Sequence, residues 1–420
     1  MAVRHGYGKA AGTDALVFAY DTGDTRNSYK GEPTTNLATD TPSQSGWQGT
    51  YSVVDSNTKT FLITTQQNDA SVGAAWRTWY WSVSSYIGSY ITISADVEFV
   101  SETNCTFSNI TVGQGNTGTY PTHILGSDAA DRQTISTKPV EKIHMTWSGV
   151  INATGIVGFT FWTSNVTVNG ATAVLRISNV QIEAKAHETP FVNGTRSSTQ
   201  GLLDLTGNSS INLTNAGFDS NAQLDFDGTN TYIPKFTDSR FQFADTDLTY
   251  EVVVNFNSNP NSYQTLIGLA DTNDYIPRIN LSKARSGLDM TGVLGPVYMQ
   301  LIDQNGSGAT VRDPDLSGID LVAGGYYHYV GIVSKPAGSS TYSVYLYRNG
   351  VLVSSTDSGK TTYDTTQGVQ GSIGLAVGTQ FGNTASVLDG QLPVAKVYNR
   401  ALTAGEVLNN FNNYKSRFNL

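Results

Sequence analysis

The residues of this chain that could do chemistry are few. Two carboxylates on one strand, two or four residues apart, could serve as acid and nucleophile of a glycan hydrolase, and Glu98 and Glu102 have that spacing. Glu98 falls on the polar side of an alternating stretch and Glu102 abuts Thr103-Asn104. An ordinary solvated edge is the preferred reading, and no catalytic residue is assigned. Trp76, Trp79 and Trp81 crowd into Ala75–Val83. Trp79 and Trp81 share a face if the segment is a strand. Exposed, the tryptophans form a platform for stacking on sugar rings; buried, they are core, which is preferred for at least one of them. Asp225 and Asp227, in the acidic turn Asp225–Asn230, offer carboxylate and carbonyl oxygens to calcium. Turn chemistry explains the same residues without a metal.

Other constellations fall short. His5, His123, His144, His187 and His328 are scattered without metal-ligand spacing. No Gly-x-Ser-x-Gly elbow anchors a hydrolase triad, and no Walker A sequence occurs. Gly113–Gly118 matches the dinucleotide fingerprint by letters, but Thr119-Tyr120-Pro121 follows where a helix is needed. The single Cys105 excludes an intrachain disulfide or a cysteine-rich metal site and is expected to be a small buried apolar residue. Apart from calcium, no cofactor is expected.

The elements that must position these residues are strands. Charged residues make up only 14% of the chain, and 42 glycines among 420 residues, with abundant Ser, Thr and Asn, suit short strands and tight turns. Tyr90–Val100 alternates with Ile91, Ile93, Ala95, Val97 and Phe99 on one face. Val157–Trp162, Ala173–Ile182, Tyr250–Phe256 and Tyr326–Val333 also read as strands. Asn349-Gly350 makes Tyr342–Ser355 a hairpin. Only the C-terminus reads as helix: Thr403 and Glu406 form a capping box, and Val407, Phe411, Tyr414 and Phe418 follow at helical spacing, predicting a helix pinned to a sheet edge. The fold class is therefore all-β, two β-sandwich (jelly-roll) domains with one short C-terminal α-helix. All six tryptophans precede residue 163, and Lys185–Gln200 is polar and aperiodic, which predicts two domains joined there.

A net charge of -9 and a pI near 5.0 disfavour nucleic acid and anionic membrane as partners. No apolar run long enough to span a bilayer exists, and Met1–Thr13 lacks the apolar core of a secretory signal, so synthesis and retention in soluble form are expected.

Leu224–Ile233 (LDFDGTNTYI) and Leu388–Asn410 (LDGQLPVAKVYNRALTAGEVLNN) resemble the laminin-G-like, concanavalin A-like jelly-roll family. Its Phe-Asp-Gly turn is matched early, and its closing strand and helix by Gly390, Leu392, Ala395 (or Val394 in a shifted register), Tyr398, Asn399, Arg400, Ala401, Leu402 and Glu406. Pro393 and Val394 replace residues that are commonly acidic. Ala15–Gly31 is similar to the opening of such domains in tailed-bacteriophage virion proteins, and Gln181–Ser197 to the exit of a carbohydrate-binding-module-like domain. In simple phage versions that opening runs directly into an Asp-Leu-Ser/Thr-Gly-Asn stretch, which here waits until Asp204–Asn208. The order implies residues 1–35 as an N-terminal arm and first strand of the laminin-G-like domain, 36–193 as an inserted carbohydrate-binding-module-like sandwich, and 194–420 as the rest of the host. An arm that docks on a partner is the alternative for 1–35. The resemblance implies a non-enzymatic virion structural protein, made in the host cytoplasm and placed on the particle as capsid decoration, neck or tail-fibre component. Its implied partners are other virion proteins, copies of itself (a trimer) and host-surface glycan held weakly. A tail-spike or bacterial-surface glycan-degrading enzyme is the alternative.

Overall fold

The structure is a computed structural model and describes residues 15–46, 49–67, 71, 74–115, 131–219, 223–257, 263–270, 278–283, 296–303, 305–313, 324–365, 374–379 and 386–420. The N-terminal arm through residue 14, Trp47, His123 and the Asn116–Gly118 half of the fingerprint lie outside them. Among the described residues the chain is built from strands, short 3-10 turns and one α-helix. It opens with β1 (Leu16–Asp21). A middle set follows: β2 (Thr34–Thr35), β3 (Ser43–Gly46), β4 (Gly49–Asp55), β5 (Thr60–Gln67), β6 (Ala74–Ser82), β7 (Tyr90–Thr103), β8 (Thr106–Gln114), β9 (Arg132–Ile135), β10 (Ile143–Val150), β11 (Ile156–Ser164), β12 (Ala171–Glu183) and β13 (Thr195–Arg196). The last set is β14 (Gly217–Phe218), β15 (Leu224–Asp227), β16 (Leu248–Phe256), β17 (Gln264–Ala270), β18 (Arg278–Lys283), β19 (Val297–Ile302), β20 (Gly308–Arg312), β21 (Tyr326–Ser334), β22 (Ser343–Arg348), β23 (Val351–Asp357), β24 (Gly374–Val377) and β25 (Asp389–Tyr398), closed by α1 (Ala404–Phe418).

Two compact units result. One joins the residues up to Pro33 with Ser198–Leu420; the other is Thr34–Ser197. The division thus falls two residues before position 35 and four after 193, because β2 pairs with β13 (Thr35 opposite Thr195) inside the second unit. In the first unit, β1 pairs antiparallel with β25, from Leu16 opposite Tyr398 to Asp21 opposite Val394. The chain returns beside this strand after the second unit: Lys30 N donates to Gly201 O at 2.8 Å, and Ala19 N to Asp204 Oδ1 at 3.0 Å. One sheet runs β14-β15-β25-β16-β21-β22-β23 with β1 beside β25, and a five-stranded sheet runs β20-β19-β18-β17-β24. Phe18, Tyr20, Phe226, Phe256, Leu281 and Met299 are among the residues that fill the space between. The hairpin turn has Asn349 at φ 50° and Gly350 at φ 81°, as a type I′ turn requires.

Helix α1 forms for the reason read in the sequence: Thr403 accepts from Glu406 N, and Glu406 answers to the Thr403 backbone. Its position differs from the expected sheet edge. Val407, Tyr414 and Phe418 pack on Val253, Val330 and Val394, which face outward from β16, β21 and β25, so the helix covers a sheet face. These outward valines give the helix an apolar seat on that face, and β16 is buried throughout. Among the described residues, no helix is long and apolar enough to cross a membrane.

The second unit stacks two five-stranded sheets, β10-β7-β12-β5-β4 and β3-β6-β11-β8-β9. Ile91, Ile93, Ala95 and Val97 of β7 are fully buried, as their alternation demands. Thr92, expected on the solvated side, is buried as well because its hydroxyl donates to Lys185 O of the exit segment at 2.9 Å.

Candidate functional site

The outer face of β3-β6-β11-β8-β9 gathers aromatic, hydroxyl and basic side chains. Opposed residues of antiparallel strands share a face, so the register defines rows across the sheet. One row is Trp76, Trp162 and Asn109 on β6, β11 and β8. The next is a run of hydroxyls on all five strands: Ser45, Thr78, Thr160, Thr111 and Thr134. A third is Ser43, Tyr80, Gly158, Gly113 and Arg132.

Each row has a local cause. Phe159 and Phe161 point into the core, so the intervening Thr160 and the following Trp162 must face outward. The Trp76 and Trp162 rings stack at 5.5 Å between centroids and 29° between planes, and both are half-buried. Beneath them the hydroxyls of Thr78 and Thr160 hydrogen-bond at 2.8 Å, and those of Thr111 and Thr134 at 3.0 Å. In the third row the backbones of β6, β11, β8 and β9 approach closely: a Cβ on Gly158 would meet Trp79 O at 2.2 Å, and one on Gly113 would meet Asp131 O at 2.1 Å. Glycine keeps that stretch bare between Tyr80 and Arg132. No carboxylate stands in these rows. Apolar ring faces beside hydroxyl and amide groups can hold a polyhydroxylated ring with one apolar face, but they offer no acid–base pair.

The structure divides the three tryptophans read from the sequence. Trp79 and Trp81 share a face, and it is the inner one: they are 1% and 5% exposed, within the core. They are therefore not a stacking platform, because the strand alternation that aligns them also turns them inward. Trp76 is three residues before Trp79 and so faces the other way, where it meets Trp162. Trp162, Tyr80 and Arg132 were not singled out from the sequence. The alternation of Phe159-Thr160-Phe161-Trp162 was a usable signal for Trp162; the pairing of β6 with β11 was not readable.

Glu98 and Glu102 do not form a pair. Phe99 opposes Leu175 and Ser101 opposes Val174, leaving Val100 as a bulge that breaks the alternation between them. Glu98 binds Arg176 at 2.6 Å, whereas Glu102 binds Lys138 at 2.7 Å and accepts from Phe107 N. The Lys138 hydrogen bond is the main cause of the lowered Glu102 pKa.

Asp225 and Asp227 also have separate duties. Asp227 Oδ1 accepts from the backbone of Thr229, Asn230 and Thr231 at 2.8–3.0 Å. Burial opposes its charge, but these hydrogen bonds outweigh it and hold the carboxyl well below the usual range. Asp225 Oδ1 accepts from Gln391 Nε2 at 2.6 Å, so an amide donor occupies the place a cation would take. The pair does not fit calcium. Among the described residues, no group of three or more His, Cys, Asp and Glu side chains is arranged to hold a metal ion. Cys105 is half-buried rather than buried, with Sγ 3.3 Å from Thr172 O, and burial raises its thiol pKa.

Two further charged clusters stand elsewhere. On the other sheet of the second unit, His144 Nδ1 lies 3.0 Å from Asp96 and Nε2 2.9 Å from Glu188. Burial opposes the imidazolium, but the two carboxylates prevail and raise the His144 pKa. Under α1, fully buried Glu251 meets His328 Nε2 (3.0 Å), Tyr398 OH (2.9 Å), Asn410 Nδ2 (3.0 Å) and Lys396 Nζ (3.5 Å). In both, the charged groups satisfy one another.

Residues 227–408 match a laminin G family model described as the Concanavalin A-like lectin/glucanases superfamily. No curated protein matches the chain. Among solved structures, the chain is similar to the Ruminococcus gnavus IT-sialidase CBM40 bound to alpha2,3 sialyllactose, at 15% identity and TM-score 0.31, covering 44% of this chain and 96% of that one. It is similar to domain 4 of AbnA, a GH43 extracellular arabinanase from Geobacillus stearothermophilus in complex with arabinotriose, at 15% identity and TM-score 0.32, covering 51% and 92%. It is also similar to a carbohydrate-binding protein, so described provisionally, from Bacteroides ovatus, at 14% identity and TM-score 0.32, covering 76% and 78%.

Proposed function

We propose that this protein is a non-catalytic glycan-binding protein that serves on the surface of a bacteriophage particle, in assembly and in weak attachment to host glycans. One observation carries the binding reading: the half-buried Trp76–Trp162 stack beside a row of hydroxyls, in rows of described residues that hold no carboxylate. Aromatic faces take the C–H face of a sugar, and the flanking hydroxyl and amide groups take its hydroxyls. The match of residues 227–408 to a model of the Concanavalin A-like lectin/glucanases superfamily is compatible with that reading. The virion setting rests on sequence alone, namely the phage-like opening Ala15–Gly31 and the later Asp204–Asn208 and Phe226-Asp227-Gly228. Its partners are then other virion proteins and copies of itself in a trimer. Weak sites repeated on a particle give strong attachment through avidity.

A glycan array probed with the full chain tests the binding. Binders are then titrated in solution against wild type and Trp162→Ala. Loss of one stacking wall is expected to weaken binding about tenfold, at about 0.5–1.5 kcal/mol for the ring contact plus the lost apolar area. Equal affinity in the variant would remove this face from the account. Immunogold labelling of intact phage particles tests the setting.

A further inference from the structure

We infer that the glycan held at this face carries a carboxylate, and that Arg132 receives it; the inference rests on the glycan-binding reading of the Trp76–Trp162 face.

The argument starts from what the other arginines do. Arg176 pairs with Glu98, Arg240 with Asp238, Arg348 with Asp313, Arg400 with Glu406 and Arg417 with Asp21. Arg77 donates to Gly46 O and Gln44 Oε1, and Arg196 to Pro190 O. Among the described residues, Arg132 is the half-buried arginine left with no hydrogen-bond or ion-pair acceptor. Partial burial of a guanidinium costs solvation, and no acceptor among the described residues offsets it.

Its position supplies the ligand. Arg132 ends the row that starts with Ser43 and Tyr80, beyond the bare backbone of Gly158 and Gly113. Trp162 is four residues along β11 from Gly158, and β11 is two strands from β9. Strand geometry makes the offset about 13 Å along and about 10 Å across, or roughly 16 Å between Cα atoms, a span of about two or three sugar residues. A sugar stacked on the tryptophans therefore places the acid group of a neighbouring residue, not its own, within reach of the arginine fork. The guanidinium matches a carboxylate with two parallel hydrogen bonds. In a chain of net charge -9, this local cation is what makes an anionic ligand acceptable.

The test is calorimetric titration of the full chain with trigalacturonate and sialyllactose as acidic probes, and with methyl-esterified trigalacturonate and lactose as their neutral counterparts. The acidic member of at least one pair should bind about ten- to a hundredfold tighter, in keeping with charge-assisted hydrogen bonds, and the margin should shrink with added salt. Arg132→Gln should bring that acid down to the affinity of its neutral counterpart at an unchanged melting temperature, because Arg132 holds no partner among the described residues. Trp162→Ala should weaken both members. Neutral probes binding as tightly as acidic ones, with Trp162 dependence, would overturn the inference and leave the glycan reading standing. The same holds if the acidic preference persists in Arg132→Gln. Absence of any Trp162-dependent binding would count against both.

Discussion

Replacing Glu251 by glutamine should destabilise the first unit by about 2–4 kcal/mol near neutral pH, and the deficit should fade in acid. The carboxylate is fully buried and is met by His328, Tyr398, Asn410 and Lys396, all within 3.5 Å. Burial alone would raise its pKa. The charge of Lys396, then the hydrogen bond and charge of His328 and the hydroxyl of Tyr398, reverse that and hold it at about 2, against an ordinary 4.5. A depressed carboxylate contributes stability that is fully present above its unfolded pKa and is lost as pH falls through the folded one. The window here runs from 4.5 down to about 2, and a gap of that size is worth about 3 kcal/mol. Glutamine keeps one acceptor but turns an amide N–H₂ toward groups that are themselves donors, within the range for breaking a buried ion pair. Urea unfolding followed by circular dichroism at 222 nm, near pH 7 and near pH 3, measures the difference. All six tryptophans lie within Thr34–Ser197, so their fluorescence reports the other unit and should be the same in both proteins. A deficit that is constant with pH, or under about 1 kcal/mol near neutrality, would refute the account of this network.

Two smaller effects follow from local geometry. Thr403→Ala removes the acceptor for Glu406 N and should cost about 1 kcal/mol, read as a lower midpoint of the 222 nm transition with tryptophan fluorescence unmoved. By nuclear magnetic resonance, His144 should titrate above 6.5 and move down in Glu188→Gln. A raised histidine pKa contributes stability below 6.5 that is lost as pH rises through the folded value, so the second unit should be slightly less stable at pH 9 than at pH 6.

What could be read from the sequence followed the range of the interaction behind it. Helix α1 was legible because Thr403 and Glu406 are three residues apart and cap one turn. The hairpin was legible because Asn349-Gly350 alone sets the turn. The all-β class, and the alternation of Ile91, Ile93, Ala95 and Val97, depend on period alone. The candidate site was legible only in part. That Trp79 and Trp81 share a face follows from spacing, but which face depends on Phe61 and Phe159, residues distant in the chain. Trp76 meets Trp162 across 86 positions, a contact set by register and not by any local signal. The bulge at Val100, which separates Glu98 from Glu102, has no glycine to announce it.

The junctions between the two units show how a domain can sit inside another without leaving its host open. Each unit closes its own ends. On the host side, Lys30 N bonds to Gly201 O, Leu203 N to Ser28 O, and Tyr29 bridges Leu202, so residues some 170 apart in sequence are neighbours. On the other side, Asn36 N donates to Gly194 O, its Nδ2 donates to Val180 O and Val192 O, and its Oδ1 accepts from Ala38 N and Ile182 N. Buried Glu183 accepts from Gln181 and Thr189 within the same segment, so the exit is tied down before the chain leaves. Where both cut ends are hydrogen-bonded within their own unit, the host has no extra loop-closure entropy to meet, and an insertion costs it little. The physical requirement is then proximity of Lys30 and Gly201, and any compact domain with adjoining ends satisfies it. That is why a tryptophan-rich sandwich can be carried by a host whose strands β1 and β25 still pair across the sequence it interrupts.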